Sequence, residues 1–397
     1  MNTLSEPLVR LASRTSSIHP FHVMELMKDA ARLESTGRDI IHMGIGEPDF
    51  TAPDPVIEAA SRAMKDGMTQ YTSALGIPAL REAIAGHYTR TYGLDIDPAR
   101  IVVTAGASAA LMLACAALVD RDDEVLMPDP CYPCSRHIVV AAEGRPVLVP
   151  TGPQKRFQLT ACDIEHRWND RTRGVLLATP SNPTGTSIEP DELRRIVEAV
   201  RARGGFVISD EIYQGLSYER PPISALSFGD DVVTVNSFSK YFNMTGWRLG
   251  WIVVPPAIVA TVEKLAQNLF ICASTVAQHA ALACFEPDSL AIYEARRLEF
   301  KRRRDLIVPA LDALGFSVPI VPDGAFYVYA DCGNVPHHAA GDSDALTKAM
   351  LHDASVLLIP GMDFGSDAPH QYIRLSYATA YTKIEEAVAR LQRLFCR

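Results

Sequence analysis

One lysine of this chain stands in a run of residues whose types could together bind a reactive cofactor. Lys240 follows Ser237 and Ser239 and precedes Arg248, and the run begins where an apolar, β-branched stretch ends. A lysine amine forms a Schiff base with an aldehyde, a serine hydroxyl can donate a hydrogen bond to a phosphate oxygen, and an arginine neutralises phosphate charge. The run therefore predicts a site for a cofactor that carries both an aldehyde and a phosphate.

Other polar residues follow apolar runs in the same way. Asn182, Asp210 and Tyr132 each come shortly after such a run, as Lys240 does. In an open parallel sheet, ligands bind at the carboxyl ends of the strands. Each residue alone is typical of a turn, a helix cap or packing. Their joint occurrence predicts that they meet in one site.

The runs alternate with helical patterns through the middle of the chain. The strand candidates are Arg100–Thr104, Glu124–Pro128, Pro146–Val149, Gly174–Ala178, Phe206–Ser209, Val232–Val235 and Leu249–Val253. The helix candidates include Ala107–Val119, Pro190–Arg203 and Pro256–Phe270. This alternation predicts an α/β fold in which a mostly parallel, seven-stranded sheet is sandwiched by helices.

The pattern changes after about residue 300, where a long charged helix precedes short strands and a final amphipathic helix. A chain of 397 residues exceeds the usual size of one domain. We interpret residues 52–300 as a large domain, and residues 1–51 with 301–397 as a smaller α+β domain. The elements predicted in its tail are the strands Ala325–Tyr329, Val356–Ile359 and Tyr372–Tyr377 and the helix Lys383–Phe395.

Composition narrows the classes of protein that the chain can represent. The content of 48% apolar and 21% charged residues is typical of a globular protein with a sizeable core. A net charge of −9 argues against a nucleic-acid partner, and we interpret the basic cluster Lys301–Arg304 as a solvated helix face. The first 20 residues lack a signal-peptide pattern, and the apolar stretch Leu111–Val119 is too short to cross a bilayer. A cytoplasmic protein without membrane contact is the expectation.

The eight cysteines show no disulfide-framework spacing, as is typical of a reducing compartment. Cys131 and Cys134 match the C-x-x-C redox pattern, but the motif lies in mid-chain, so we expect two buried or inert thiols. A second C-x-x-C is absent, and no metal site is predicted.

Over nearly its whole length the chain resembles the class I aminotransferases, the fold-type I enzymes that use pyridoxal 5'-phosphate (PLP). The resemblance rests on the lysine run and extends from Gly44-Ile45-Gly46-Glu47-Pro48-Asp49-Phe50 to Tyr372-Ile373-Arg374-Leu375-Ser376. It implies a PLP fold-type I large domain with Lys240 as the catalytic amine.

The resemblance also assigns roles around the cofactor ring. Asp210 would keep the pyridine nitrogen protonated, which makes the ring an electron sink. Asn182 and Tyr213 would hydrogen-bond the phenolic oxygen and lower the pKa of the Schiff base. Tyr132 would stack on the ring face.

For the cofactor phosphate, the resemblance implies a site at a helix start. Backbone N–H groups at a helix N-terminus bind anions, and the Gly106-Ala107-Ser108 segment opens the helix after a strand. Ser237, Ser239 and Arg248 would complete this site. Tyr71 matches a tyrosine that relatives donate to the phosphate of the neighbouring subunit, which implies a homodimer.

For the substrate, the resemblance implies that Arg374 grips the α-carboxylate in a bidentate fork, helped by Asn182 and the backbone of Gly46. Positions expected to face the side-chain pocket are apolar, namely Ile45, Phe270, Ile271 and Phe326. The expected activity is therefore transfer of the amino group of a neutral or aromatic L-amino acid to a 2-oxo acid such as 2-oxoglutarate. The alternatives are a PLP-dependent cysteine-sulfur β-lyase and a non-catalytic sensor of PLP or amino acids.

Overall fold

A computed structural model describes residues 9–395 of the chain. The termini of the predicted small domain, residues 1–8 and 396–397, lie outside the described residues. The strands are β1 Ile41–His42, β2 Ile101–Thr104, β3 Glu124–Asp129, β4 Arg145–Pro150, β5 Thr172–Ala178, β6 Phe206–Asp210, β7 Val233–Ser237, β8 Gly250–Val253, β9 Tyr327–Asp331, β10 Val356–Leu357, β11 Ile359–Pro360 and β12 Tyr372–Ser376.

The helices lie before, between and after these strands. They are α1 His22–Ser35, α2 Asp54–Lys65, α3 Pro78–Tyr92, α4 Ala107–Leu118, α5 Pro133–Ala141, α6 Ala161–Arg167, α7 Pro190–Arg201, α8 Val259–Leu269, α9 Thr275–Leu282, α10 Pro287–Ala313, α11 Ser343–Ala354 and α12 Tyr381–Phe395. Within residues 9–395, no helix combines the length and the apolar composition needed to cross a bilayer.

A seven-stranded sheet forms the centre of the fold, with strand order β2-β8-β7-β6-β5-β3-β4. Strands β3 to β7 run parallel, and β8 is antiparallel to both β2 and β7. The predicted mostly parallel, helix-covered α/β sheet is confirmed. Its strands read as continuous apolar runs because both faces are buried.

Successive residues of a strand point to opposite faces of this sheet. Leu176 of β5 packs in a cluster with residues of α4 and α8. Its neighbours Val175 and Leu177 pack on the other face against α7. The helices on both faces leave the carboxyl ends of the parallel strands as the open edge, where a site can form.

Smaller sheets form from the two ends of the chain. Strand β9 and the short β11 pair antiparallel with β12, while β1 pairs parallel with β10. The predicted single strand Val356–Ile359 is therefore two strands, because its halves join different sheets. This pairing sets residues 41–42 beside the C-terminal part. The domain division at residues 52 and 300 stays a prediction, and α10 runs through residue 300.

The basic cluster of α10 is only partly a solvated face. Arg303 and Arg304 are buried, and their guanidinium groups donate to Asp49 and Glu219, at 2.7 and 2.8 Å. The interpretation of Lys301–Arg304 as solvated was wrong for these two residues. Their buried charge is balanced by carboxylates from distant segments, which the local sequence does not reveal.

Candidate active site

A cavity of about 570 Å³ opens at the carboxyl ends of the central strands, facing the smaller sheets. It brings together nearly all of the site residues predicted from sequence. Those lining it are Gly46, Ala107, Ser108, Tyr132, Asn182, Asp210, Tyr213, Ser237, Ser239, Lys240, Arg248 and Arg374. Gly106 and Tyr71 do not line it.

Lys240 lies in the turn after β7, and its amine reaches into the cavity. Its Nζ donates a hydrogen bond to the carbonyl oxygen of Gly46 at 2.6 Å. Burial of the amine lowers the pKa of Lys240 to about 8, although the nearby carboxylate of Glu47 acts in the opposite direction. An amine with this pKa can both accept and release a proton near neutral pH, as acid–base catalysis requires.

Asp210 ends β6 and is almost completely buried at the cavity wall. Burial raises the pKa of its carboxyl to about 7. A hydrogen bond from the backbone N–H of Ile212 at 3.2 Å and the charge of Lys240 act in the opposite direction. A buried carboxylate of this kind favours a cationic partner. The protonated nitrogen of a pyridine ring has that chemistry.

Tyr213 and Asn182 occupy the wall beside Asp210 and are already engaged with other polar groups. The Tyr213 hydroxyl lies 2.8 Å from the hydroxyl of Tyr327, and the two rings meet edge to face. Asn182 Oδ1 accepts a hydrogen bond from Arg374 Nη1 at 3.0 Å. Tyr327 was not predicted as a site residue. It belongs to a predicted strand, and its position in the cavity depends on how β9 packs against the large sheet.

Several hydrogen-bond donors that could bind an anion gather where α4 begins. Gly106 adopts φ +84°, and a Cβ there would approach Arg248 Nη2 to 2.6 Å, so glycine lets the guanidinium reach the helix start. Ser237 Oγ lies 2.9 Å from Ser239 Oγ and accepts from the Ser239 N–H. Two hydroxyls, a guanidinium and a helix N-terminus are a donor set that fits a phosphate dianion. Gly106 therefore shapes this site from outside the cavity lining.

Arg374 lies in the middle of β12 with its guanidinium almost completely buried. Nη1 donates to Asn182, and Nη2 donates to the carbonyl oxygen of Gly44 at 2.5 Å. The guanidinium carbon is 4.7 Å from the ring centroids of both Tyr327 and Phe364. Its Nε is buried and has no hydrogen-bond partner among the described residues. This orphaned donor fits an incoming carboxylate.

Tyr71 and three of the four predicted pocket residues do not line the cavity. Tyr71 is 80% exposed and away from the cavity, so its role across a subunit interface stays a prediction. Ile45 does line the cavity. Phe326 does not line it, but it is buried with its ring centroid 5.8 Å from Lys240 Nζ. Phe270 and Ile271 do not line the cavity of the single described chain, and their place in the pocket stays a prediction.

The cysteine pair beside Tyr132 has no features of a reactive site. Burial raises the pKa of Cys131 to about 12 and also raises that of Cys134. A higher pKa disfavours the nucleophilic thiolate. Among residues 9–395, no cluster of three or more metal-binding side chains is present.

Comparison with known proteins places this chain in a family. The family described as "Aminotransferase class I and II" matches residues 38–391. The valine–pyruvate aminotransferase of Mycobacterium tuberculosis is 38% identical over 384 residues, covering 96% of this chain and 97% of its own. The aspartate aminotransferase of Geobacillus stearothermophilus is 35% identical over 391 residues, covering 97% and 98%.

Comparison with solved structures indicates the same family. The crystal structure of an aminotransferase from Mycobacterium tuberculosis superposes with a TM-score of 0.92 at 38% identity, covering 98% of this chain and 99% of the other. Enzymes of this fold generally depend on PLP, act on amino acids and 2-oxo acids, and are typically dimeric. The chain belongs to the class I and II aminotransferases and is a transaminase.

Proposed function

We propose that this transaminase binds PLP in the cavity through a Schiff-base linkage to Lys240. It would move the amino group of a neutral or aromatic L-amino acid to a 2-oxo acid, for which 2-oxoglutarate is a first candidate. The observation that carries the proposal is the arrangement of charges in one cavity. The Lys240 amine shares it with the buried Asp210 carboxylate and with Arg374, whose buried Nε lacks a partner.

The residues present suit each part of the cofactor. Ser237, Ser239, Arg248 and the helix start at Ala107 and Ser108 would bind its phosphate, with Gly106 allowing their close approach. Asp210, Asn182, Tyr213 and Tyr132 would hold its ring. When bound, the cofactor would supply the aldehyde that receives amino groups and the ring that stabilises negative charge.

The chain's own groups would then carry the proton and orient the substrate. Lys240 Nζ, with its pKa near 8, would take a proton from the substrate α-carbon and later return one. Arg374 would fix the α-carboxylate, with Asn182 holding the guanidinium from the side. Tyr71 would reach the phosphate of a second copy, so the active unit would be a homodimer.

Transfer assays test the proposed function. The purified protein is expected to convert 2-oxoglutarate to glutamate, or a monocarboxylate 2-oxo acid to its amino acid, in the presence of a neutral donor. Release of ammonia and pyruvate from cysteine derivatives is the control for β-lyase chemistry. Release of both without amino transfer to either acceptor would show a lyase and contradict the proposal.

Arg374→Lys is expected to weaken amino-acid and 2-oxo-acid binding about tenfold or more while the cofactor remains bound. A planar guanidinium contacts both carboxylate oxygens at fixed angles, and an ammonium cannot copy this. A hydrogen bond to a charged group contributes about 1.5–3 kcal/mol.

The measurement is KM for donor and acceptor, together with cofactor absorbance. The exposed Arg393 on α12 offers the matched Arg→Lys control, and an amine that lacks a carboxylate is the substrate control. Unchanged KM values in Arg374→Lys would place the carboxylate anchor elsewhere.

A further inference from the structure

The wall of the cavity beside Arg374 is apolar and belongs partly to the N-terminal helix. Val23, Met24 and Met27 of α1 line this wall together with Ile359 and Phe364. Side chains of this wall also contact Arg374, the proposed anchor of the substrate carboxylate. Phe364 packs on the Arg374 guanidinium, and Val23 packs in a cluster with Ile359 and Phe364. A side chain attached to a carbon near this anchor would therefore meet apolar surface.

A buried carboxylate fixes α1 in this position. Both oxygens of Asp363 accept hydrogen bonds from the start of α1, from His22 N at 2.7 Å and Val23 N at 2.9 Å. Hydrogen bonds join the loop that holds Asp363 to the segment around α5. Arg136 Nη2 donates to the Asp363 carbonyl oxygen at 2.8 Å, and the Cys131 N–H donates to the Phe364 carbonyl oxygen at 2.7 Å. These hydrogen bonds hold the apolar wall in a defined position beside Arg374.

The neighbouring face of α1 fixes the rotation of the helix about its axis. Leu26 and Ala30 are buried in a cluster with Ile40, Leu351 and Leu357. With 3.6 residues per turn, Met24 and Met27 point away from this buried stripe, and Val23, three residues before Leu26, lies at its edge and packs against Ile359 and Phe364. Burial of Leu26 and Ala30 therefore leaves Val23, Met24 and Met27 available to the cavity.

Charge around the cavity is distributed unevenly. Among residues 9–395, the cations that line it are Lys240, Arg248 and Arg374, and the proposed function uses all three. The apolar wall carries no cation of its own, and its one carboxylate, Asp363, already accepts the two α1 N–H groups. Within one chain, this wall offers no cation to a second carboxylate on a substrate, whose desolvation there would be unfavourable.

We propose that α1 and the 359–364 loop form a side-chain subsite that selects amino acids with large apolar side chains and excludes acidic ones. This inference rests on the proposed function and names its substrate class. Because donor and acceptor would use the same anchor in turn, it extends to the acceptor. Apolar 2-oxo acids should then be better acceptors than 2-oxoglutarate, so the inference places them ahead of it as candidate acceptors.

A donor series with the wild-type holoenzyme and 4-methyl-2-oxopentanoate or 2-oxoglutarate as acceptor tests the inference. Phenylalanine, leucine and methionine are expected to exceed both alanine and aspartate in kcat/KM by at least about tenfold, because apolar pockets discriminate by roughly 10–200-fold per methylene. A preference for aspartate or glutamate would overturn the subsite and the neutral-donor part of the proposed function, while amino transfer through Lys240 would stand. If no donor transfers its amino group to either acceptor, the proposed function fails and the inference falls with it.

Substitutions in α1 test whether the helix is responsible. Met24 is 51% exposed, so Met24→Lys can be accommodated without loss of the core. It is expected to raise the aspartate-to-leucine ratio of kcat/KM about tenfold, because the new cation offers a partner for a second carboxylate. Met27→Ala is expected to lower the leucine-to-alanine ratio.

Glu25→Gln is the matched control, since it changes net charge by the same amount on the neighbouring residue. Glu25 is exposed, pairs with Lys28 and does not line the cavity. Its selectivity ratios should equal those of the wild type. Equal ratios in Met24→Lys, Met27→Ala and Glu25→Gln would show that α1 does not select the side chain.

Discussion

Lys240→Ala is expected to lower the kcat of amino transfer by at least about 100-fold, the smallest effect usual for a lost general acid–base group. Among residues 9–395, Lys240 supplies the one amine that lines the cavity. Its removal eliminates both the covalent link to the cofactor and the proton carrier. The cofactor should still bind, because the proposed phosphate contacts at Ser237, Ser239 and Arg248 would remain. The measurements are kcat and the cofactor content of the purified variant.

The covalent link has a separate readout that does not depend on activity. Borohydride reduction of the wild-type protein should fix the cofactor to the peptide that contains Lys240. Lys348→Ala is the control, because Lys348 is an exposed lysine paired with Asp344 on α11. Attachment to a lysine other than Lys240, or retained activity in Lys240→Ala, would remove Lys240 from its proposed role.

Asp210→Asn is expected to lower kcat about 100-fold or more, the size of effect seen when one preorganised electrostatic group is lost. The amide keeps the shape of the side chain but removes the negative charge that would hold a proton on the ring nitrogen. Cofactor binding should persist through the phosphate contacts. Near-normal kcat with bound cofactor would show that this proton is held by another group or is not needed.

The cofactor-free protein gives an independent test of the same carboxylate. Burial raises the pKa of Asp210 to about 7 from the ordinary 3.8. Ionised Asp210 is thus less favourable in the folded protein than in the unfolded chain, so this group lowers stability progressively from about pH 4 to above pH 7. Cofactor-free Asp210→Asn should unfold at a higher temperature than the cofactor-free wild type at pH 8. The difference should shrink at pH 4. An equal difference at both pH values would contradict the buried, ionising carboxylate.

Much of the site could be predicted because its residues follow strands. Lys240, Asp210 and Asn182 stand at or shortly after the ends of apolar runs, and a parallel sheet carries the ends of such runs to one edge. The seven strands were recognisable for the same physical reason. Strands buried on both faces must be apolar throughout, and the helices between them show the 3.6-residue period.

The sequence by itself thus determined the central sheet, the residues at its open edge and the chemistry that an amine, a carboxylate and two guanidinium groups can perform. Only the tertiary structure decided which distant segments meet them. Tyr327 contacts Tyr213 from 114 residues away, and Gly44 contacts Arg374 from 330 residues away. Helix α1 lies along the cavity, although it is a separate element near the start of the chain. Such contacts have no local signature, because periodicity and propensity report only which face of an element is buried and not what covers it. The same reason explains why Arg303 and Arg304, which look solvated in sequence, are buried against carboxylates brought to them by the fold.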